Sequence, residues 1–529
     1  MNLLLLLSPI LVLAFGALVI MMIDAFQETE GGLAMPTALL HLVAAALALA
    51  LWKRGIPTDT SVLHGWLVVD KPVLFLEATI ALGGGLAALL AGGYLAEHKI
   101  DRGEYYSLIA FSSAGAMLLA AANDMLMLFL GLETMSLGVY AMTGYRRGNA
   151  RSAEAALKYF LLGSFAAALL LMGAALLYVI TGHTDFPGIT AALRAGVPEG
   201  ASDALVALVA TKTKIAVLAM LLVLVAMAFK IGAVPFHMWT PDAYEGAPTA
   251  TTAYMSVVVK TAAFGALLRV MLSVFGDPGS AGSAAGWPAM LAYLAVATMT
   301  VGNLVALTQT SVKRMLAYSS IAHAGYVLLG VIVAPREDVG ANAYAAVLFY
   351  LAAYTASNLG ALGALILAGR RGAEAVSYDD LAGYARRHPA AGLALTFFLL
   401  SLTGVPPTGG FFAKFYMVRA TLDAGYTTLA ILAVINSAIS AYYYLGVLVR
   451  SYMRDPAPGA PLAAPMRSGY VVSALLASAV LVLWMGAMPE RWLGLALDAV
   501  SPATPASPST ESTPASPSTE TAPVAPKQP

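Results

Sequence analysis

An all-α polytopic membrane protein of about fourteen transmembrane helices is what this sequence predicts, and three observations carry that reading. The chain has 529 residues, of which 59% are hydrophobic and 11% charged; soluble domains average about 25% charged residues. Its apolar runs recur at the length of about 20 residues that a hydrocarbon core of about 30 Å demands of a helix. Those runs are continuous and do not alternate with polar residues, so they are helices and not barrel strands. A soluble enzyme, a disordered chain and a disulfide scaffold are excluded. Lys+Arg and Asp+Glu balance at 29 each, so no basic field points to nucleic acid. The absence of cysteine excludes thiolate-held iron–sulfur or zinc sites and a thiol nucleophile.

The spans fall near 3–23, 33–52, 73–93, 106–122, 124–143, 153–180, 213–234, 249–274, 288–309, 313–334, 341–368, 391–422, 426–450 and 468–488. The first is not a signal peptide, because it has no basic n-region, its first Lys or Arg being Lys53. Loops after odd-numbered spans hold Lys99, Arg102, Arg146, Arg147, Arg151, Lys313, Arg314, Arg370, Arg371, Arg386, Arg387, Arg454 and Arg467. Loops after even spans are poorer, with Lys53, Arg54, Lys71, Arg194 and Arg336 their main cations. The positive-inside rule then puts the odd loops in the cytoplasm and both termini outside. The organisation predicted is residues 1–105 (spans 1–3), 106–274 (spans 4–8), 275–450 (spans 9–13), 451–490 (span 14) and a disordered Pro/Ser/Thr-rich tail over 491–529. Within the tail, Thr504–Ser512 and Thr513–Thr521 form an imperfect repeat, a composition that cannot bury a core.

Two spans carry breaks. The seventh runs through Phe229-Lys230-Ile231-Gly232-Ala233-Val234-Pro235-Phe236-His237, and the twelfth through Gly404-Val405-Pro406-Pro407-Thr408-Gly409-Gly410-Phe411 to Lys414. Proline removes a backbone donor and glycine loosens what remains. Freed backbone groups at membrane depth persist only inside protein or along a wet cavity. Each break lies in the fourth span of a five-span block, one block over 106–274 and the other over 275–450. Interrupted helices in matching places of two halves point to an ion path between repeats of opposite topology.

Charges lie near those breaks. Glu133 sits about 13 Å along a helix from Asp124, Lys260 is central in span 8, and Lys230 and Lys414 flank the two breaks. His323 lies inside span 10, His237 at the first break, and Lys158 nearer a helix end, where it can snorkel. A charge at the bilayer centre costs about 2.5–3.5 kcal/mol on insertion scales. A lysine whose counter-charge can move is a proton site whose affinity follows its neighbour, and histidine titrates near neutrality. A static ion pair is the other reading of Glu133 and Lys230, and a hydrogen-bonded structural histidine that of His237 and His323. Glu77, Lys212 and Lys214 read as structural or surface residues. Gly83-Gly84-Gly85 reads as close helix packing, with no strand before it to make a phosphate loop. Tyr442-Tyr443-Tyr444 near a span end suits an interfacial belt.

The run from Ala228 to Pro248, with Lys158–Ser164, Arg314–His323 and Leu402–Lys414, resembles the antiporter-like subunits of proton-pumping NADH:quinone oxidoreductase, respiratory complex I. The likeness covers roughly residues 1–490 and is nearest to subunit N, the bacterial counterpart of mitochondrial subunit 2. A lysine at 414, where subunit M tends to carry glutamate, and the lack of a long lateral helix as in subunit L favour that choice. The resemblance implies two inverted five-helix repeats with discontinuous helices 7 and 12. It also implies proton translocation through Glu133 paired with Lys230, then Lys260 and Lys414, with Lys158, His237 and His323 as relays. It implies no cofactor bound by this chain; NADH, FMN, iron–sulfur clusters and quinone would be used by partner subunits. Those partners would be the antiporter-like subunits M and L, the small subunits K, J and A together with H and, through them, the peripheral arm, in a bacterial cytoplasmic membrane. The rival reading is a subunit of a multi-subunit cation/proton antiporter, and a passive scaffold is a third.

Overall fold

Helices account for nearly all the regular structure in the computed structural model, which describes residues 3–26, 31–55, 61–195, 202–276, 286–369, 373–459 and 462–500. Spans 1 to 6 are Ser8–Phe26, Ala34–Arg54, Lys71–Glu97, Gly103–Ala121, Met125–Thr143 and Ala150–Thr181. Span 7 is Asp203–Ile231 with a short helix, Trp239–Gly246, beyond its break, and span 8 is Thr249–Ser273. Spans 9 to 11 are Trp287–Ala306, Val312–Val333 and Gly340–Leu367. Span 12 is split into Pro389–Thr403 and Gly409–Asp423, and spans 13 and 14 are Thr427–Met453 and Gly469–Ala487. Among the described residues, twelve helices are long and apolar enough to cross a membrane. The more polar Gly103–Ala121 and the split span 12 complete the set. The chain is a multi-pass membrane protein.

Contacts between loops check the span count. Glu374, after span 11, gathers Tyr94 from the end of span 3, Arg146 from beyond span 5, Thr249 from the start of span 8 and Lys313 from the start of span 10. All of these belong to the end that odd-numbered spans reach. At the opposite end Asp70, before span 3, takes two hydrogen bonds from Arg269 at the end of span 8. There also Asp498, beyond span 14, binds Lys71 and Trp52. One miscounted span would pull these partners to opposite sides of the bundle.

Burial ranks the helices. Spans 8, 10 and 11 are 89%, 94% and 100% buried over their apolar windows, against 28% for span 1. A helix apolar on all sides belongs in the centre, and the buried polar residues of spans 8 and 10 are therefore enclosed by protein. Small residues bring span 3 close to that centre: a Cβ on Gly84 would strike His41, and one on Gly83 would press on Val258 and Thr355.

Three expectations are corrected. Span 7 begins at Asp203, ten positions before 213, because the Lys- and Thr-bearing stretch around 211–214 continues the helix as exposed turns; Lys212 and Lys214 lie on it. Residues 489–500 form a helix, Pro489–Val500, where composition predicts a tail from 491. Its Leu493 and Leu497 pack on the core and Trp492 meets the Trp484 ring at 5.0 Å, so it has an apolar stripe of its own; the repeats at 504–521 lie outside the described residues. Tyr442 is exposed, but Tyr443 and Tyr444 are buried, one turn of helix pointing them inward, away from an interfacial belt.

Span 14 packs directly on the second break, where a Cβ on Gly486 would collide with the Pro407 carbonyl. Gly486→Ala should therefore lower the stability of the purified protein in detergent by about 1–3 kcal/mol, read as a fall in thermal midpoint. Gly446→Ala, in the neighbouring span with nothing within 4 Å, should leave it unchanged; equal effects would contradict this packing.

Candidate functional site

Both breaks are made by the same local chemistry. The helix before the first ends at Ile231, and Gly232 turns into the left-handed region at φ 74°. Its N–H donates to the Phe229 carbonyl at 3.1 Å and that of Ala233 to Ala228 at 2.8 Å, a glycine-terminated helix end. At the second, Gly404 adopts φ 92°, and the N–H groups of Gly404 and Val405 return to the Leu400 carbonyl at 3.1 and 3.0 Å. Thr408 then caps the following half-helix through Phe411 N at 3.4 Å. A Cβ is costly at either glycine.

Each break leaves a lysine at the negative end of a helix dipole. Lys230 lies in the last turn of Asp203–Ile231 and is buried. Lys414 reaches back across its break and donates to the Thr403 carbonyl, which ends the preceding half-helix, at 2.8 Å, and to Ser437 Oγ at 3.0 Å. Lys260 follows a π-turn at Met255–Val259, a widened helical turn common at functional positions. It donates to the Ser320 carbonyl of span 10.

The expected contact between Glu133 and Lys230 is not made. Lys230 Nζ donates to Ser136 Oγ at 2.6 Å, and the Ser136 hydroxyl donates in turn to the Leu132 carbonyl. Glu133 and Ser136 are neighbours one turn apart on span 5, and the hydroxyl is the nearer acceptor. Glu133 Oε1 has no hydrogen-bond partner among the described residues. No carboxylate is in ion-pair contact with Lys230, Lys260 or Lys414 among the described residues, and aromatic faces stand in. The Lys230 ammonium lies 5.5 Å from the ring centroids of Tyr140 and Tyr159, Lys260 5.9 Å from Tyr354, and Lys414 5.2 Å from Tyr326.

Hydroxyls fill the intervals. Tyr244 OH approaches Ser320 Oγ at 3.5 Å, and Tyr354 OH donates to the same Ser320 Oγ at 2.9 Å. His323 Nδ1 meets Tyr350 OH at 2.6 Å and its Nε2 meets Tyr444 OH at 3.3 Å; Ser319 and Tyr444 share a hydrogen bond. The His323 ring lies 4.9 Å from that of Tyr354 and 5.9 Å from that of Tyr326. Those two rings are the ones that face Lys260 and Lys414, so His323 shares one aromatic neighbour with each lysine. Between Lys230 and Tyr244 the filling is aromatic, Tyr159 stacked on Trp239 at 4.2 Å.

His237 is not on this line. It is half-buried in the turn after the first break, and no hydrogen bond joins it to a lysine or to His323 among the described residues. Lys158 lies at the basic end, exposed, bonded to Asp242 at 2.9 Å and Glu154 at 2.7 Å, while Arg314 holds the other Asp242 oxygen at 2.9 Å. The serines and tyrosines of the line escape a sequence reading, having no spacing that separates them from ordinary helix contacts. Glu77 is deeply buried. No group of three or more His, Cys, Asp or Glu among the described residues is placed to hold a metal.

Comparisons with known proteins identify the family. Residues 122–440 match a family model described as the transmembrane region of NADH:quinone oxidoreductase and Mrp antiporters. NADH-quinone oxidoreductase subunit N 1 of Sorangium cellulosum is 54% identical over 506 residues, 93% of this chain and 97% of that protein. A chain in the structure of respiratory complex I from Thermus thermophilus with bound aureothin is 33% identical, with a TM-score of 0.73 over 92% of this chain and 99% of that one. A chain of the Mrp complex from Dietzia is 22% identical with a TM-score of 0.77, over 94% and 97%, a likeness of fold.

At the basic end Glu374 accepts from Tyr94 OH at 2.7 Å, from Thr249 N at 3.2 Å and from the Thr249 hydroxyl, with Arg146 at 3.3 Å and Lys313 at 3.5 Å. Burial alone would raise this carboxyl, but Lys313 and Arg146 outweigh it and hold it at about 2. Because the folded value lies below the unfolded one, its stabilisation is complete above about pH 4.5 and lost as pH falls toward 2. Glu374→Gln should cost at most about 3 kcal/mol at pH 7, and the gap in thermal midpoint between variant and parent should close between pH 5 and 2. A gap independent of pH would contradict the ionised lock.

Proposed function

The chain belongs to the NADH:quinone oxidoreductase/Mrp antiporter family and, within it, to the N subunits of NADH-quinone oxidoreductase, and from that premise we propose how it moves protons. It is a proton-translocating membrane-arm subunit driven by quinone reduction elsewhere in the complex. NADH, FMN, the iron–sulfur clusters and quinone belong to its partners: antiporter-like subunits M and L, subunits K, J, A and H, and the peripheral arm. It lies in the bacterial cytoplasmic membrane with the basic end inside and both termini periplasmic. Residues 106–274 and 275–450 are its two inverted repeats. The observation that carries this reading is the line Lys230, Tyr244, Ser320, Lys260 and His323, all buried, ending at the half-buried Lys414 and strung between two broken helices.

A buried ammonium without a carboxylate is stabilised by dipoles and aromatic faces alone, so a second charge nearby is strongly disfavoured. Lys260, His323 and Lys414 therefore compete for protons. Glu133 biases Lys230 from one end, and movement of that carboxylate toward or away from Ser136 changes how firmly Lys230 keeps its proton. Charge released there passes to Lys260 by way of Tyr244 and Ser320, and from Lys260 through His323 to Lys414. The stretch beside Tyr159 and Trp239 is where water has to enter for the first transfer. Lys158, paired with Asp242, holds the short helix after the first break at the inside face. A multi-subunit cation/proton antiporter would use the same groups; flavin and iron–sulfur absorbance in the purified native assembly separates the two.

Lys230→Ala should leave the complex assembled and lower its proton-to-electron ratio in vesicles, and an unchanged ratio would count against the assignment. His323→Leu, which removes both ring nitrogens from the link between Lys260 and Lys414, should cut pumping about tenfold or more. His323→Gln should retain part of it. A passive scaffold would instead lose assembly in these variants and not transport.

A further inference from the structure

Outside the proton line, the first half of span 12 and span 14 enclose a groove of about 800 Å³. Its walls are apolar, with Leu393, Phe397, Phe398, Leu476 and Leu483 among them, and its mouth holds Arg387 and His388. Leu393, Leu476 and Leu483 are exposed, so no part of this chain covers the groove among the described residues. We propose that it binds an anionic phospholipid of the leaflet on the basic side, its phosphate at Arg387 and His388 and one acyl chain along Phe397 and Leu476.

Depth and charge both favour that occupant. From Pro389 to Phe398 the helix rises about 13 Å, and from Val472 to Leu483 about 16 Å; one leaflet of hydrocarbon is about 15 Å deep. Basic pockets between helices on the cytoplasmic side suit anionic headgroups. Arg387 is held by the carbonyls of Ala382, Gly383 and Ala463 at 3.2–3.3 Å with no carboxylate in ion-pair contact among the described residues. Exposed Arg467 follows Met466 at the same mouth. The groove ends near the second break, and the half-helix it supports is the one whose Thr403 carbonyl receives Lys414. The lipid would therefore brace the acceptor of the last lysine on the line.

The native complex, reconstituted in nanodiscs of phosphatidylcholine with a tenth of acyl-diazirine phosphatidylglycerol, tests this by photo-crosslinking and peptide mapping. Labelling should concentrate on residues 393–398 and 472–483 and fall about tenfold in Ala394→Trp, which fills the groove. Combined His388→Ala and Arg467→Gln should leave labelling by diazirine phosphatidylcholine intact while lowering the several-fold preference for phosphatidylglycerol, the remainder resting on Arg387. Labelling unchanged by Ala394→Trp would overturn the proposal. So would cross-links from these residues to a neighbouring subunit in place of lipid, or equal labelling by the two lipids in the parent complex.

Discussion

An ammonium group in hydrocarbon is costly in proportion to the water it has lost, and this molecule places three of them at membrane depth with no carboxylate touching any of them among the described residues. What replaces the carboxylate is a set of fixed dipoles: the carbonyl ends of interrupted helices, a serine carbonyl beside a π-turn, and the faces of tyrosine rings. Such partners make a charge tolerable and leave it free to go. A tight ion pair at each lysine would have trapped the proton, because a buried carboxylate gives up its partner only at a cost of several kcal/mol.

The ends of the bundle behave in the opposite way. Glu374 ties five segments at the basic end, and Asp70 with Arg269 ties two at the other. Here carboxylate and cation are in direct contact, several hydrogen bonds satisfy each group, and the charges stay where they are. The frame sets the distances, and under the proposed reading the broken helices and the Tyr159–Trp239 stack would be the elements that shift between arrangements.

The fold is legible in the sequence because apolar length and helix-breaking residues speak through one dimension. Pro235, Pro406, Gly232 and Gly404 announce their breaks, and Lys230, Lys260 and Lys414 are conspicuous as cations inside apolar runs. The partners of those lysines are not legible. Ser136, Ser320 and Tyr354 look like any small or aromatic residue in a packed helix, and only the packing that brings spans 5, 10 and 11 beside the lysines gives them a role. Tyr444 misleads for the same reason, since being near a span end in sequence says nothing about which way one residue of a triplet faces. Opposite charges predict Glu133 against Lys230; a serine one turn away takes the contact, a difference of a few ångströms that no spacing rule resolves. Composition assigns residues 491–500 to the tail because Pro, Ser and Thr dominate the C-terminal stretch, although Trp492, Leu493 and Leu497 repeat at helical intervals.

The central claim is that these groups form one conducting line once water reaches them. The most direct measurement is a density map of the native complex in a lipid bilayer at a resolution that shows single waters. Ordered water should bridge Lys230 to Tyr244 or Ser320 and join Lys260, His323 and Lys414 in at least one of the states trapped during turnover. Dry packing between Lys230 and Ser320 in every state, with Lys260 and Lys414 turned into separate sealed cavities, would contradict it.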